Sequence, residues 1–330
     1  MSFEVTLYTR KNCKLCDEAI ADLEALQKDV PHTLVEVDID QDPDLVALYG
    51  HNVPVITSGP FTLSAPFDRR KLRITLGAAR DSHQDRMEDR GGAYEKELDR
   101  KTSMSTGDKL SHLISAHYLK VVNLILVLYV GLPFLAPVLM KAGFTGAAQP
   151  IYAVYKVSCH ELAFRSWFLF GEQPYYPREA AGLEGVTTYE QATGNNPGDL
   201  VTARNFQGNE QLGYKVAFCQ RDIAIYLAML AFGLLFGLTG RKIRPLPMWA
   251  WILIGIIPIG LDGGSQLISQ VLTWFPYRES TPVLRTMTGL LFGLTTAWFG
   301  FPVMEESMRD TRQYLSAKRA RVQSRPDPQV

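Results

Sequence analysis

Hydrophobic and polar positions alternate from Phe3 to Tyr8 and again from Thr33 to Ile39, the pattern of half-buried strands. Between them Ala19, Leu23 and Leu26 recur at helical spacing within Asp17 to Gln27. Strand, helix and strand therefore follow one another. A short helix over Pro43 to Tyr49, strands through Val53 to Thr57 and near Phe61 to Ser64, and a closing helix from Asp68 to Ala79 complete an α/β domain over residues 1–80. Pro54 cannot donate to a sheet ladder, so it belongs at a strand start or in a special turn.

The pattern then changes twice. From Arg80 to Lys109 acidic and basic residues mix with almost no aliphatic ones, so residues 81–117 form no core and read as a solvated helical or flexible linker. Beyond it the runs Val121 to Leu139, Ile223 to Leu238, Trp249 to Leu261 and Leu284 to Val303 are almost uncharged, near the ~20 residues that cross a bilayer. Residues 118–308 are thus expected to form an all-α transmembrane domain of about four helices. Pro133 and Pro137 predict a kinked or broken first span. Ile151 to Phe170 is apolar and aromatic but carries Lys156, His160, Glu161 and Arg165, which suits an interfacial or re-entrant helix. Glu172 to Lys215, rich in Gly, Pro and Asn, reads as a loop or small cap outside the bilayer.

Composition alone hides this division: 330 residues with zero formal charge look like an ordinary soluble protein until the apolar runs are mapped. Charge instead sets orientation. The loop Arg241 to Arg244 and the tail 309–330, with Arg309, Arg312, Lys318, Arg319, Arg321 and Arg325, are basic, and the first residues lack a secretory signal pattern. An even number of spans then places both termini in the cytoplasm, in a bacterial cytoplasmic membrane. A fifth span at Ile151 to Phe170 would send the basic tail outside. The tail lacks a base-reading fold, so its expected partner is the lipid bilayer and not nucleic acid.

The four cysteines form two pairs by position. Cys13 follows the first strand and precedes the first helix, where exposed N–H groups stabilise a thiolate, so it is the expected nucleophile. Cys16, one turn inward, is placed to resolve a mixed disulfide on Cys13. Lys11 and Lys14 favour the thiolate and Asp17 opposes it. The loop before Pro54 should lie against this pair, with a cis Val53 to Pro54 bond. Tyr8-Thr9-Arg10, Cys13-Lys14-Leu15-Cys16-Asp17, Val37-Asp38-Ile39-Asp40 with Asp42-Pro43, and Asn52-Val53-Pro54-Val55 resemble the bacterial glutaredoxin-like family over about residues 3 to 79. The resemblance implies a thioredoxin-like fold, disulfide exchange, and Cys13, Cys16 and Pro54 as the redox site.

In the membrane part, Cys159, His160, Cys219, Arg221 and Asp222 fall at the outer ends of the first two spans, while Asp262 ends the third and Arg285 begins the fourth. Ionisable groups at membrane depth are costly, so Asp262 and Arg285 are expected to pair or to line a wet cavity. Cys159-His160-Glu161 with Arg165-Ser166, Cys219-Gln220-Arg221, Ile225-Tyr226, Asp262-Gly263 with Gln266, Glu279-Ser280, and Arg285 with Thr288-Gly289 resemble an uncharacterised membrane family of unknown function over about residues 150 to 303. Where that family reads Cys-x-Arg-Cys, this chain has Cys219-Gln220-Arg221-Asp222. Three readings of the pair stay open. One is a Cys159 to Cys219 disulfide, closing about 60 residues for ~4 kcal/mol. The others are a metal site with His160 and Asp222, and a redox-active thiol pair tuned by His160.

The functional expectation is a membrane-tethered thiol-disulfide oxidoreductase acting on a protein thiol or disulfide or on glutathione, with glutathione or a dithiol as donor and no certain cofactor. The alternative is a membrane transporter or channel with a redox-sensing domain, or an anchor without turnover.

Overall fold

The structure, a computed structural model, describes residues 3–159, 161–196, 198–272, 274 and 276–325. His160 lies outside the described residues. The chain divides into two compact units, residues 1–117 with 307–330, and residues 118–306.

The first unit is built on a four-stranded sheet. Strands β1 (Phe3–Thr9), β2 (His32–Asp38), β3 (Val55–Ser58) and β4 (Phe61–Ser64) lie in the order β2-β1-β3-β4. β1 pairs parallel to β2, while β1 with β3 and β3 with β4 are antiparallel. The parallel pair requires a crossover, supplied by helix α1 (Lys14–Leu26). Helix α2 (Pro43–Tyr49) starts where Asp42 caps the Asp44 N–H at 2.9 Å and Pro43 occupies the first turn, where its missing N–H costs nothing. Because side chains alternate across a strand, Phe3, Val5 and Leu7 bury against Leu23 and Leu26 of α1 and against Leu72 and Leu76. Tyr8, Val35, Val37 and Val55 fill the opposite face with Leu45 of α2.

Leu72 and Leu76 belong to helix α3 (Arg69–Thr102), capped by Asp68 accepting from the Lys71 N–H at 2.7 Å. The expected closing helix ends at Ala79; α3 continues instead through the charged segment and breaks its helical geometry at Gly91, with φ of 38°. Tyr94 gives that segment an anchor, buried with its ring 5.5 Å from the His83 ring and under the Arg86 guanidinium.

The second unit contains the apolar helices. α4 (Thr106–Lys141) runs through both Pro133 and Pro137, followed by α5 (Thr145–Ser158). Residues 151–170 are not one helix. α5 ends at Ser158, Cys159 is its C-cap, and a 3₁₀ turn at Ala163–Arg165 leads into β5 (Ser166–Leu169). A cap follows, with α6 (Tyr189–Thr193), α7 (Leu200–Asn205), β6 (Gly208–Asn209) and β7 (Gly213–Cys219). Its antiparallel sheet has the order β5-β7-β6. The Gly and Asn content that marks a loop here serves tight turns: Gly208 and Gly213 have φ of 101° and 79° and abut neighbouring backbone that a Cβ would strike.

α8 (Gln220–Leu238) follows directly, then α9 (Met248–Ala250), a π-helical stretch (Trp251–Ile256) and α10 (Ile257–Val271) as one helical rod, and finally α11 (Pro282–Gln323). Among the described residues four helices are long and apolar enough to cross a membrane: Thr106–Lys141, Gln220–Leu238, Met248–Val271 and Pro282–Gln323. Gly289 and Gly293 let α11 meet α8 backbone to backbone; an added Cβ would lie 2.6 Å from the Arg221 carbonyl oxygen and 2.1 Å from that of Ile225.

The end of α11 belongs to the first unit. Ala317 and Ala320 pack on the sheet face formed by Tyr8, Val35, Val37 and Val55. Lys318 meets Asp108 of α4 at 2.7 Å, and Arg312 donates to the Ser115 carbonyl at 2.8 Å. Residues expected as a free basic tail thus supply one wall of the α/β unit as far as Gln323.

Candidate functional site

Among the described residues two candidate sites stand out, one in each unit. In the first, β1 ends at Thr9, Asn12 takes a left-handed φ of 58°, and Cys13 becomes the N-cap of α1. The sharp turn points the Cys13 sulfur at the first free N–H groups of the helix, and the Cys16 N–H donates to Cys13 Sγ at 3.2 Å. Cys13 is half-buried and Cys16 buried, and the two form a disulfide. The sulfur of Cys13 is therefore the more open to solvent, and that of Cys16 is screened. Lys11, Lys14 and Asp17 are exposed around them.

Arg10, just before the motif, donates to the Asp40 carboxylate at 2.7 Å and to the Gly50 carbonyl at 3.3 Å, tying the turn after β2 to the end of α2. That hydrogen bond holds the Asp40 carboxyl below its ordinary value. The Val53 to Pro54 peptide is cis, and Pro54 precedes β3.

The second site is a cavity of about 300 Å³ lined by Cys159, Glu161, Leu162, Arg165, Cys219, Arg221, Asp222, Gln266 and Arg285. Expected residues Cys159, Cys219, Arg221, Asp222, Gln266 and Arg285 thus converge. Asp262 stands behind them. It accepts from Arg221, from Arg278 at 3.0 Å and from the Ser280 hydroxyl at 3.0 Å. The expected Asp262 to Arg285 pair is therefore replaced by another. Arg285 is bound to Glu279, a buried carboxylate that also takes two hydrogen bonds of 2.9 Å from Arg165. The reason is reach: Arg285 and Glu279 flank the start of α11, whereas Asp262 faces the arginine of α8. Burial pushes the Glu279 carboxyl up, but the hydrogen bonds and charge of Arg165, with those of Arg285 and Arg178, outweigh it and hold it below the ordinary range.

Cys159 and Cys219 carry free thiols. Cys219 ends β7, caps α8, and accepts from the Asp222 N–H at 3.5 Å. Its hydrogen bond with Cys159 and its burial push the Cys219 thiol well above its ordinary value, which opposes a free thiolate there. Beside them lies a pair absent from the expected site, Lys215 and Glu161, both fully buried and 3.8 Å apart. Lys215 donates to the carbonyls of Glu161 and Arg204, each at 2.8 Å. Burial raises the Glu161 carboxyl to about 7 and lowers the Lys215 amine to about 8. Neither this pair nor Glu279 stands out by spacing, because Lys215 and Glu279 sit in polar stretches away from the apolar runs. The one signal was chemical: Glu161 follows Cys159-His160 within an otherwise apolar segment.

Comparison with known proteins agrees with this division. Residues 4–77 match the glutaredoxin-like domain family (DUF836), and residues 204–299 match the family described as predicted membrane protein (DUF2085). The uncharacterized protein MJ1492 of Methanocaldococcus jannaschii is 25% identical over 197 residues, covering 58% of this chain and 94% of its own length. The X-ray structure of the structural genomics target XcR50 from X. campestris is 41% identical, covering 22% of this chain and 96% of that chain with a TM-score of 0.20. The chain thus joins a glutaredoxin-like domain at its N-terminus to a C-terminal membrane domain of the DUF2085 type.

Proposed function

We propose that the protein is a membrane-tethered thiol-disulfide oxidoreductase that works through Cys13 and Cys16. The observation that carries this is the placement of the pair: Cys13 solvent-reachable at the N-cap of α1 with an N–H on its sulfur, Cys16 buried and within bonding distance. In the reduced form the Cys13 thiolate attacks a substrate disulfide, forming a mixed disulfide and expelling one substrate thiolate. Cys16 then attacks the Cys13 sulfur, closing the Cys13 to Cys16 bond and releasing the second substrate thiol. Two electrons pass from the protein dithiol to the substrate, and glutathione or a dithiol donor reduces the protein again. Pro54, ahead of β3, bounds the substrate side of this site.

The basic loop Arg241 to Arg244 and the basic end of the chain support a cytoplasmic position for both termini in a bacterial cytoplasmic membrane. The domain limits we favour are residues 1–80 for the redox domain, 81–117 for the connecting segment, 118–308 for the membrane domain and 309–330 for the basic end.

The test is disulfide reduction by the purified full chain with and without Cys13→Ser, together with labelling of thiols in intact and opened cells by a membrane-impermeant reagent. Loss of reduction in Cys13→Ser, with Cys13 labelled only in opened cells, is expected. Unchanged reduction would overturn the reading. Altered solute flux in Asp262 or Arg285 variants with unchanged reduction would turn it toward a transporter with a redox sensor.

A further inference from the structure

Among the described residues, Cys159, Cys219 and Asp222 bring two sulfurs and a carboxylate oxygen within 4.8 Å of one another. We infer that these three side chains form a binding site for a divalent metal ion of the zinc class, distinct from the dithiol at Cys13 and Cys16.

The donors come from the end of α5 and from the junction of β7 with α8, and the local structure there fixes each position. Cys159 is the C-cap of α5, its N–H donating to the Tyr155 carbonyl at 2.9 Å. Cys219 ends β7, where it pairs with Ser166 of β5 in the cap sheet. Asp222 stands in the first turn of α8, three residues on, so Cys219 and Asp222 share one face of that turn. The buried Gln220 side chain donates to the Ser166 carbonyl at 3.1 Å, locking strand and helix start together. Contraction of the cluster by about 1 Å brings all three donors to the ~2.0–2.3 Å bonds that zinc makes with sulfur and carboxylate ligands.

The type of donor decides the class of ion. Thiolates select soft or borderline ions, and sulfur with a carboxylate in a group of three suits zinc better than magnesium or calcium, which take oxygen alone. Three protein ligands leave a fourth position for water or an exogenous ligand, and all three line the cavity of about 300 Å³.

A second observation points the same way. Glu161 is fully buried and lines that cavity, yet among the described residues neither of its carboxylate oxygens has a hydrogen-bond donor. The ammonium of Lys215 lies 3.8 Å away, and Lys156 and Arg204 add further positive charge nearby. An unsatisfied buried carboxylate beside three metal donors is the acceptor that a metal-bound water requires. Charge is consistent too. A divalent ion on two thiolates and a carboxylate leaves one net negative charge, which Arg165, Arg221 and Arg285 on the cavity wall accommodate.

The experiment uses the full chain purified in detergent, in a Cys13→Ser, Cys16→Ser background so that the other thiols hold no metal. Zinc and cobalt(II) are added separately. One zinc per chain is expected, with cobalt producing thiolate-to-metal charge-transfer absorption and the visible bands of a tetrahedral site. Cys159→Ser and Cys219→Ser should each abolish the charge-transfer intensity from one sulfur, and Asp222→Asn should weaken binding by at least about tenfold. A measurement on the unsubstituted membrane domain guards against misfolded variants: bound zinc should protect Cys159 and Cys219 together from alkylation, and a chelator should expose both. Absence of the charge-transfer band at saturating cobalt overturns the inference. So does metal retained after both cysteines are replaced, or a Cys159 to Cys219 disulfide in the isolated chain that forms whether or not zinc is supplied.

Discussion

Glu279, in the segment before α11, accepts both of its 2.9 Å hydrogen bonds from the Arg165 guanidinium, binding that segment to the turn that follows Cys159. The same carboxylate holds Arg285, so one anion fixes two arginines of the cavity wall. Removing it leaves the buried Arg285 and the half-buried Arg165 without their carboxylate partner.

Glu279→Gln is therefore expected to destabilise the membrane domain by about 3–5 kcal/mol at neutral pH. The pH dependence has a definite sign. The folded carboxyl titrates below its unfolded value, so its contribution is fully present above the ordinary carboxylate range and is lost as pH falls through the lower, folded value. Thermal unfolding in detergent across acidic pH should show this loss in the parent chain and not in Glu279→Gln. Equal acid sensitivity in both would mean that other carboxylates set it.

Cys13 and Cys16 differ in exposure, and their variants should differ in kind. Cys16→Ser should trap a mixed disulfide on Cys13 that a reductant releases, whereas Cys13→Ser should trap none. Mass spectrometry after incubation with a disulfide substrate separates the two. Trapping through Cys16 in the Cys13 variant would reverse the assigned roles.

Two glycines of the membrane helices offer a controlled contrast. At Gly293 a Cβ would press on the Ile225 backbone at 2.1 Å, while at Gly237 the nearest atom is a Leu119 methyl at 3.6 Å. Gly293→Ala should force α8 and α11 apart at a cost of about 1–3 kcal/mol or more, and Gly237→Ala should be neutral or stabilising by about 0.5–1 kcal/mol from helix propensity. Unfolding of each purified variant in denaturant tests the pair; similar losses at both positions would refute close backbone packing as the cause.

The wall that α11 adds to the α/β unit rests on small residues. Ala317 is buried in one cluster with Tyr8, Val37 and Val55, so a larger side chain must displace packed neighbours. Ala317→Leu is expected to destabilise this unit by about 1–3 kcal/mol, seen as faster proteolysis between β1 and β4. An unchanged rate would mean that the helix end does not bear on the sheet's stability.

How much of this is legible in the chain depends on the range of the interaction. Alternation in Phe3 to Tyr8, helical spacing in α1, a cysteine at the strand-to-helix junction and long uncharged runs are local patterns, and local steric and solvation rules read them directly. The full length of α3 was less legible, because a charged segment without a core satisfies helix and coil alike until Tyr94 finds a place to bury. The cap sheet was hidden by the same glycines and asparagines that its turns require.

What the amino-acid order determined by itself is the α/β glutaredoxin-like domain with its Cys13 and Cys16 pair, and the apolar helices that follow it. Tertiary structure alone decided that Arg285 goes to Glu279 and Arg221 to Asp262, that Cys159 meets Cys219 and Asp222 in a cavity that the buried Glu161 also lines, and that Ala317 closes the sheet. These choices join residues far apart in the chain, and the partner of a buried charge or thiol is whichever group packing brings within reach, which no local period encodes.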